Sequence, residues 1–129
     1  MSGVNVRLLV VDDDPLLREI LSEGLEQEGF EVVVAEDGAI ALELFRNNGP
    51  FAAVLVDEEM PRVTGRQFLQ QTHAERRGVA ALLVSGNLTL DEAEQRELDV
   101  GPVMNKPFSF QELVGVIRAA IASKAPAIP

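Results

Sequence analysis

Five short apolar runs alternate along this chain with stretches in which apolar residues recur at helical spacing. The runs are 8–11, 32–35, 54–56, 79–84 and 103–104. A short run that is apolar at consecutive positions is typical of a strand that is buried on both faces. Parallel strands need crossover connections, and these are usually helices. The alternation therefore predicts an α/β fold in which a parallel sheet is covered by helices on both faces.

The third run leads directly into a carboxylate. Val54, Leu55 and Val56 precede Asp57, and Pro61 prevents the strand from continuing. This order predicts that Asp57 lies at the carboxyl end of a central strand. In open α/β sheets that edge is where ligands bind and where chemistry takes place.

The other strands also end in polar residues. Asp12 and Asp13 follow the first run, Ser85 follows the fourth and Lys106 follows the fifth. Because parallel strands end at one edge, we expect these side chains to meet Asp57 there. Three close carboxylates repel one another unless a cation lies among them, and their oxygens are ligands that suit Mg²⁺. A hydroxyl and an ammonium suit phosphoryl oxygens, so the set indicates a carboxylate that attacks phosphorus with the help of Mg²⁺.

These motifs together resemble one known family. In chain order they are Asp12-Asp13, Asp57 followed by Met60-Pro61, Ser85-Gly86 and Lys106-Pro107-Phe108. The set closely resembles the receiver domain of two-component response regulators, and the resemblance runs from about residue 6 to about residue 123. It implies a flavodoxin-like, three-layer α/β/α fold whose five parallel strands lie in the order 2-1-3-4-5. It also implies a receiver domain over 1–123, with 124–129 as a tail or the start of a linker.

The resemblance also implies roles for individual residues. Asp57 aligns with the phosphoacceptor, Ser85 with the hydroxyl that hydrogen-bonds the phosphoryl group, and Lys106 with the lysine that pairs with a phosphoryl oxygen. The peptide between Lys106 and Pro107 is commonly cis in the family. The implied Mg²⁺ ligands are Asp12, Asp13, Asp57 and the backbone carbonyl of Glu59.

Four positions distinguish this chain within the resemblance. Val103 stands three residues before the lysine, where many receivers carry a Tyr or Phe that turns inward with the phosphate. Gly86 stands where Ala is commoner. Glu59 and Asn87 occupy positions that tune phosphate lifetime in the family, and we predict that Glu59 affects the rate of dephosphorylation.

Two functions remain open at this point. In the first, a histidine kinase or histidine phosphotransfer protein donates a phosphoryl group to Asp57, and the change alters a surface read by an output domain, a downstream protein or a second copy in a homodimer. Such a signalling domain catalyses its own phosphorylation and slow dephosphorylation and is not a metabolic enzyme. In the second, a pseudo-receiver serves as a docking or dimerisation module without phosphorylation. This alternative stays open because Val103 replaces the aromatic residue that turns inward with the phosphate in many receivers. The sequence contains neither a Walker loop nor a G-x-G-x-x-G motif, so no motif of this kind indicates a nucleotide-binding enzyme.

Composition limits the partners. The net charge of −10 repels the phosphates of nucleic acids and anionic membranes, so neither is predicted as a direct partner. No apolar run approaches the roughly 20 residues that span a bilayer, and the first residues do not resemble a signal peptide. The chain contains no cysteine, which excludes disulfides and thiolate metal sites. We predict a cytoplasmic protein.

Four further expectations concern helices. Asp14 is predicted to cap the first helix, and the single histidine, His73, is predicted to lie on the surface. The stretch 91–98 is almost wholly polar, so a helix there buries little and is predicted to be the least firmly held. The residues expected to face the core from the first helix are Leu16, Leu17, Ile20, Leu21 and Leu25.

Overall fold

Strands and helices alternate throughout the computed structural model, which describes residues 6–124. A short 3₁₀ turn, His73–Glu75, directly follows the third helix. The elements are β1 (Val6–Val11), α1 (Pro15–Gln27), β2 (Phe30–Ala35), α2 (Gly38–Asn47), β3 (Ala53–Asp57), α3 (Gly65–Thr72), β4 (Ala80–Ser85), α4 (Glu92–Leu98), β5 (Met104–Asn105) and α5 (Phe110–Lys124). The strands form one parallel sheet in the order β2-β1-β3-β4-β5. The predicted fold class and strand order are confirmed.

The central strand, β3, positions the carboxyl edge of the sheet. It pairs with β1 on one side and with β4 on the other, and all of its residues are buried. Val11 aligns with Val56, and Val84 aligns with Asp57. Residues that follow β1, β3 and β4 therefore emerge side by side.

The core lies in two layers, one on each face of the sheet, because successive strand residues point to opposite faces. Val54 and Leu83 pack with the apolar residues of α2, α3 and α4. Leu55 and Leu82 pack with those of α1 and α5. The three-layer arrangement follows from this division.

The apolar face of α1 is narrower than predicted. Leu21 and Leu25 are buried and Leu17 is half-buried, but the side chains of Leu16 and Ile20 are 64% and 53% exposed. The expectation that all five face the core was wrong. Leu16 and Ile20 each lie one position before the buried row, which turns them by about 100° around the axis, and a helix on one face of a sheet buries a single stripe.

Helices α4 and α5 bear on two further predictions. Of the residues of α4, only Leu98 is buried, so the expectation that this helix buries little is confirmed. The helix α5 ends at Lys124, whose Nζ lies 2.7 Å from Asp99 Oδ2. Residues 125–129 of the expected tail lie outside the described residues, and the domain division at 123 stays a prediction. Within residues 6–124, no helix has the length and apolar character needed to cross a bilayer.

Candidate functional site

Three carboxylates meet at the carboxyl edge of the sheet. Asp12 and Asp13 follow β1, Asp57 ends β3, and one oxygen from each lies within 4.8 Å of the others. Asp12 and Asp57 are each 4% exposed, whereas Asp13 is exposed. The proximity follows from the parallel register, since β1 and β3 are adjacent and end at the same level. The structure thus brings the acidic residues together as the sequence pattern indicates.

The electrostatics of Asp57 reflect this crowding. Burial raises the pKa of Asp57 to about 6, and the nearby charge of Asp12 acts in the same direction. Lys106 Nζ lies 3.2 Å from Asp57 Oδ1, and the backbone N–H of Glu59 donates to the same oxygen at 3.3 Å. These two contacts lower the pKa of Asp57 but do not cancel the effect of burial. A cation among the carboxylates relieves the remaining cost.

Asp12 is held by the loop that follows it. Its Oδ1 accepts the backbone N–H of Asp14 at 2.8 Å, and its carbonyl accepts Arg18 Nη1 at 2.8 Å. Burial raises the pKa of Asp12 despite the hydrogen bond from Asp14. Asp14 caps α1 as predicted, because its Oδ1 accepts the N–H groups of Leu16 and Leu17.

Lys106 reaches the acidic cluster from the far side of β4. Its backbone N–H donates to the carbonyl of Ser85 at 2.9 Å, which sets the position of the side chain. Partial burial lowers the pKa of Lys106, but the charge and hydrogen bond of Asp57 raise it by more, so the net shift is upward and the ammonium is retained. The peptide between Lys106 and Pro107 is cis, as the resemblance implies.

Ser85 lies beside the cluster and is fully buried. Its hydroxyl donates to Glu59 Oε2, and the N–H of Gly86 donates to Glu59 Oε1 at 3.1 Å. The N–H groups of Asn87 and Leu88 donate to Ser85 Oγ at 3.2 and 3.1 Å. The sequence predicted a metal-binding backbone carbonyl for Glu59 and an effect of this residue on dephosphorylation, but it did not predict this contact of its side chain. The available signal was that Glu59 follows β3 and that Ser85 ends the adjacent strand β4.

Two residues next to Asp57, Glu58 and Gly65, were also missed by the sequence analysis. Glu58 is buried, and its carboxylate accepts the backbone N–H and Nε of Arg66 at 2.9 and 3.1 Å, so it is paired away from the acidic cluster. A Cβ at Gly65 would lie 2.8 Å from the carbonyl of Asp57 and 2.5 Å from Leu83 Cδ1. The structure requires glycine at position 65 for this close approach.

Val103 and His73 are two further positions that the sequence singled out. Val103 is half-buried and packs against the core layer on the side of α2, α3 and α4, three residues before the lysine. His73 is exposed at the start of the 3₁₀ turn.

Comparison with known proteins identifies relatives. Residues 8–118 match the family model of the response regulator receiver domain. Response regulator MprA of Mycobacterium sp. (strain KMS) is 37% identical over 123 residues, which cover 94% of this chain and 53% of MprA. The chain therefore spans about half the length of the curated relatives that it matches.

Solved structures give the same picture. A response regulator receiver domain protein (CheY-like) from Methanospirillum hungatei JF-1 superposes with a TM-score of 0.86 at 25% identity, covering 94% of this chain and 97% of that one. The response regulator protein TrrA from Thermotoga maritima, solved in complex with Mg(2+)-BeF, superposes with a TM-score of 0.78 at 30% identity. That match covers 89% of this chain and 98% of TrrA.

Proposed function

Because the chain belongs to the response regulator receiver family, we propose that Asp57 accepts a phosphoryl group from a histidine kinase or a histidine phosphotransfer protein. The observation that carries the proposal is the position of the carboxylate. Asp57 is buried beside two acidic side chains, with an ammonium 3.2 Å from its Oδ1. This arrangement combines a nucleophile, oxygen ligands for a cation and a positive group for phosphoryl oxygens.

The residues present fit Mg²⁺. Three carboxylate oxygens lie within 4.8 Å of one another, and burial, together with repulsion from neighbouring carboxylates, raises the pKa of both Asp12 and Asp57. Bound Mg²⁺ would neutralise negative charge on the carboxylates and on the phosphoryl oxygens. The proposed ligands are Asp12, Asp13, Asp57 and the backbone carbonyl of Glu59. The complex of TrrA with Mg(2+)-BeF supports the proposal that the site binds Mg²⁺.

The proposed transfer is an in-line displacement. A carboxylate oxygen of Asp57 forms a bond to phosphorus while the phosphorus–nitrogen bond of the donor phosphohistidine breaks. The imidazole nitrogen keeps the electron pair of the broken bond and takes up a proton. Lys106 offers its ammonium and Ser85 its hydroxyl to the phosphoryl oxygens, so charge that spreads over these oxygens is stabilised in the transition state.

The proposed output is a change at the surface formed by α4, β5 and α5. The Ser85 loop leads into α4, and α4 buries only Leu98, so a rearrangement of the loop moves little buried surface. We propose that a downstream protein, an output domain or a second copy of the chain reads this surface.

The test is phosphorylation by a small donor. The protein is incubated with Mg²⁺ and acetyl phosphate, and the intact mass is measured. Asp57→Asn removes the nucleophile, and Asp14→Asn is the matched control, since this exposed aspartate lies in the same edge of the sheet and asparagine also caps helices. The wild type and Asp14→Asn are expected to gain one phosphate, and Asp57→Asn and samples with excess chelator are expected to gain none. If no sample gains a phosphate, the phosphoacceptor function is wrong and the docking-module hypothesis replaces it.

A further inference from the structure

The side chain of Glu59 bridges the two strands that flank the site. It follows β3, and its two carboxylate oxygens accept the hydroxyl of Ser85 and the N–H of Gly86 at the end of β4. Its own backbone N–H donates to Asp57 Oδ1 at 3.3 Å. The carboxylate therefore lies on the Ser85 loop, while the backbone of the same residue contacts the phosphoacceptor.

The hydroxyl of Ser85 is fully committed in this arrangement. A serine hydroxyl has one proton to donate and can accept on its oxygen. Here the oxygen accepts the N–H groups of Asn87 and Leu88, and the proton is donated to Glu59. While Glu59 holds this position, Ser85 has no proton left for a phosphoryl oxygen.

We propose that the Glu59 carboxylate is an internal anion that occupies the donors of the Ser85 loop and has to leave before a phosphoryl group on Asp57 can use them. The inference rests on the proposed function, in which Ser85 donates to a phosphoryl oxygen. A phosphoryl group and a carboxylate that compete for the same donors repel each other, because both are negative. Glu59 is an exposed residue, so the displaced carboxylate moves into water, where it is readily hydrated.

This contact makes Glu59 a residue that sets how readily the site accepts an anion. In the unphosphorylated protein it keeps the Ser85 loop hydrogen-bonded, and phosphorylation exchanges one anion for another at the same donors. Removal of the carboxylate leaves these donors free, so the site should bind a phosphoryl group more tightly. The backbone carbonyl proposed as a metal ligand is unchanged by a substitution of the side chain.

The experiment measures the affinity of Mg²⁺-beryllofluoride, an analogue of the phosphoryl group, for the wild type and for Glu59→Ala by titration calorimetry. Hydrogen bonds to a charged group contribute enough that their release should raise the affinity about tenfold in Glu59→Ala. Glu59→Gln, which retains the shape without the charge, should lie between the two. Glu36→Gln is the matched control, because it removes the same charge from an exposed residue directly after β2 and should bind as the wild type does.

A second readout follows the contact itself. In metal-free protein, the amide resonance of Gly86 should shift upfield in Glu59→Ala relative to the wild type, since the amide loses a charged acceptor, and should not move in Glu36→Gln. Equal beryllofluoride affinities of the wild type and Glu59→Ala would overturn this inference and leave the proposed function standing. Absence of binding by the wild type and by every variant would overturn both.

Discussion

Two helices follow the two loops of the site, and they begin in the same way. Thr64 and Gln67 form a capping box at the start of α3, and Asp91 and Glu94 form one at the start of α4. Both helices are short, with 8 and 7 residues. Judged by their capping residues alone, the two are equivalent.

Burial separates them. In α3, Gly65, Phe68, Leu69 and Thr72 are buried, whereas in α4 only Leu98 is. The helix that follows Asp57 is thus anchored in the core along its length, and the helix that follows the Ser85 loop lies on the surface. The comparison teaches that a cap decides where a helix begins, and packing decides how firmly it is held. One side of the site is built to stay in place and the other to move.

The carboxyl end of α4 is held by a buried arginine. The guanidinium of Arg76 donates to the carbonyl oxygens of Leu98 and Leu69 at 2.6 and 3.0 Å, and its Nε donates to the Thr72 hydroxyl at 3.0 Å. Arg76 is 1% exposed, and burial lowers its pKa. This side chain ties the end of α4 to the end of α3, which leaves the remainder of α4 as the part that can move.

The largest expected effect is in the core face of α3. Phe68→Ala should lower the free energy of unfolding by about 4 kcal/mol, because it removes a fully buried aromatic ring and leaves a cavity. Glu97→Ala, at an exposed position of α4, should change it by less than about 0.5 kcal/mol. Urea unfolding measures both. Similar losses for the two variants would break the comparison.

Next in size is the buried arginine. Arg76→Leu should cost about 3 kcal/mol, since the buried carbonyls of Leu69 and Leu98 lose a charged donor. The backbone amides of α4 should also exchange hydrogen faster. Arg77→Leu alters an exposed neighbour of the same type and serves as the control. Unchanged exchange in α4 for Arg76→Leu would show that this helix is held by other contacts.

The third prediction concerns the charge of Asp57, on the anchored side of the site, which should lower the free energy of unfolding. A pKa of Asp57 near 6 means that the folded protein binds a proton more readily than the unfolded chain, so stability falls as the pH rises from about 4 to about 6 and stays lower above that. Two pKa units correspond to at most about 3 kcal/mol, a net value that already includes the attraction to Lys106. Asp57→Asn should therefore be more stable by about 2 kcal/mol in chelator at pH 7.5.

The pH series provides the check on this gain. Unfolding of the wild type and Asp57→Asn is compared from pH 4 to pH 7.5, with Asp14→Asn as the control at an exposed aspartate. The advantage of Asp57→Asn should shrink towards pH 4. If Asp57→Asn is more stable than the wild type by the same amount at every pH, the gain does not come from removing the charge of Asp57.

The smallest expected effects come from removing the N-cap residues of α3 and α4, and they compare the two helices directly. Thr64→Ala and Asp91→Ala each remove a cap, at a cost of about 1 kcal/mol to the helix concerned. Thr64→Ala should lower the urea midpoint, because α3 unfolds with the core. Asp91→Ala should leave the midpoint almost unchanged and speed hydrogen exchange in α4. A midpoint shift of equal size in both variants would mean that α4 is as firmly anchored as α3.

Much of the fold was predictable because its signals are local. Consecutive apolar residues mark the buried strands, and proline, glycine and capping residues mark where elements end. The order of the strands came from the resemblance to receivers and is confirmed. The positions of Asp12, Asp57, Ser85 and Lys106 at strand ends follow from the same local pattern, and the structure brings these residues to one edge, while their roles in phosphoryl transfer remain predictions.

The features that the sequence did not predict depend on which side chains from different elements come into contact. Leu16 and Ile20 repeat at the same spacing as the buried row of α1, and only the position of the sheet shows that they face solvent. Arg76 sits in a polar stretch of sequence, and only the approach of α4 explains its burial.

The sequence by itself determined the α/β architecture, the strand ends and the collection of acidic, hydroxyl and ammonium groups there, because hydrophobic period and chain breakers act over a few residues. Only the tertiary structure decided that Glu59 engages the Ser85 loop, that Gly65 has to lack a side chain and that α4 is held at one end. Each of these depends on atoms from segments far apart in the chain, whose distances are set when the layers pack.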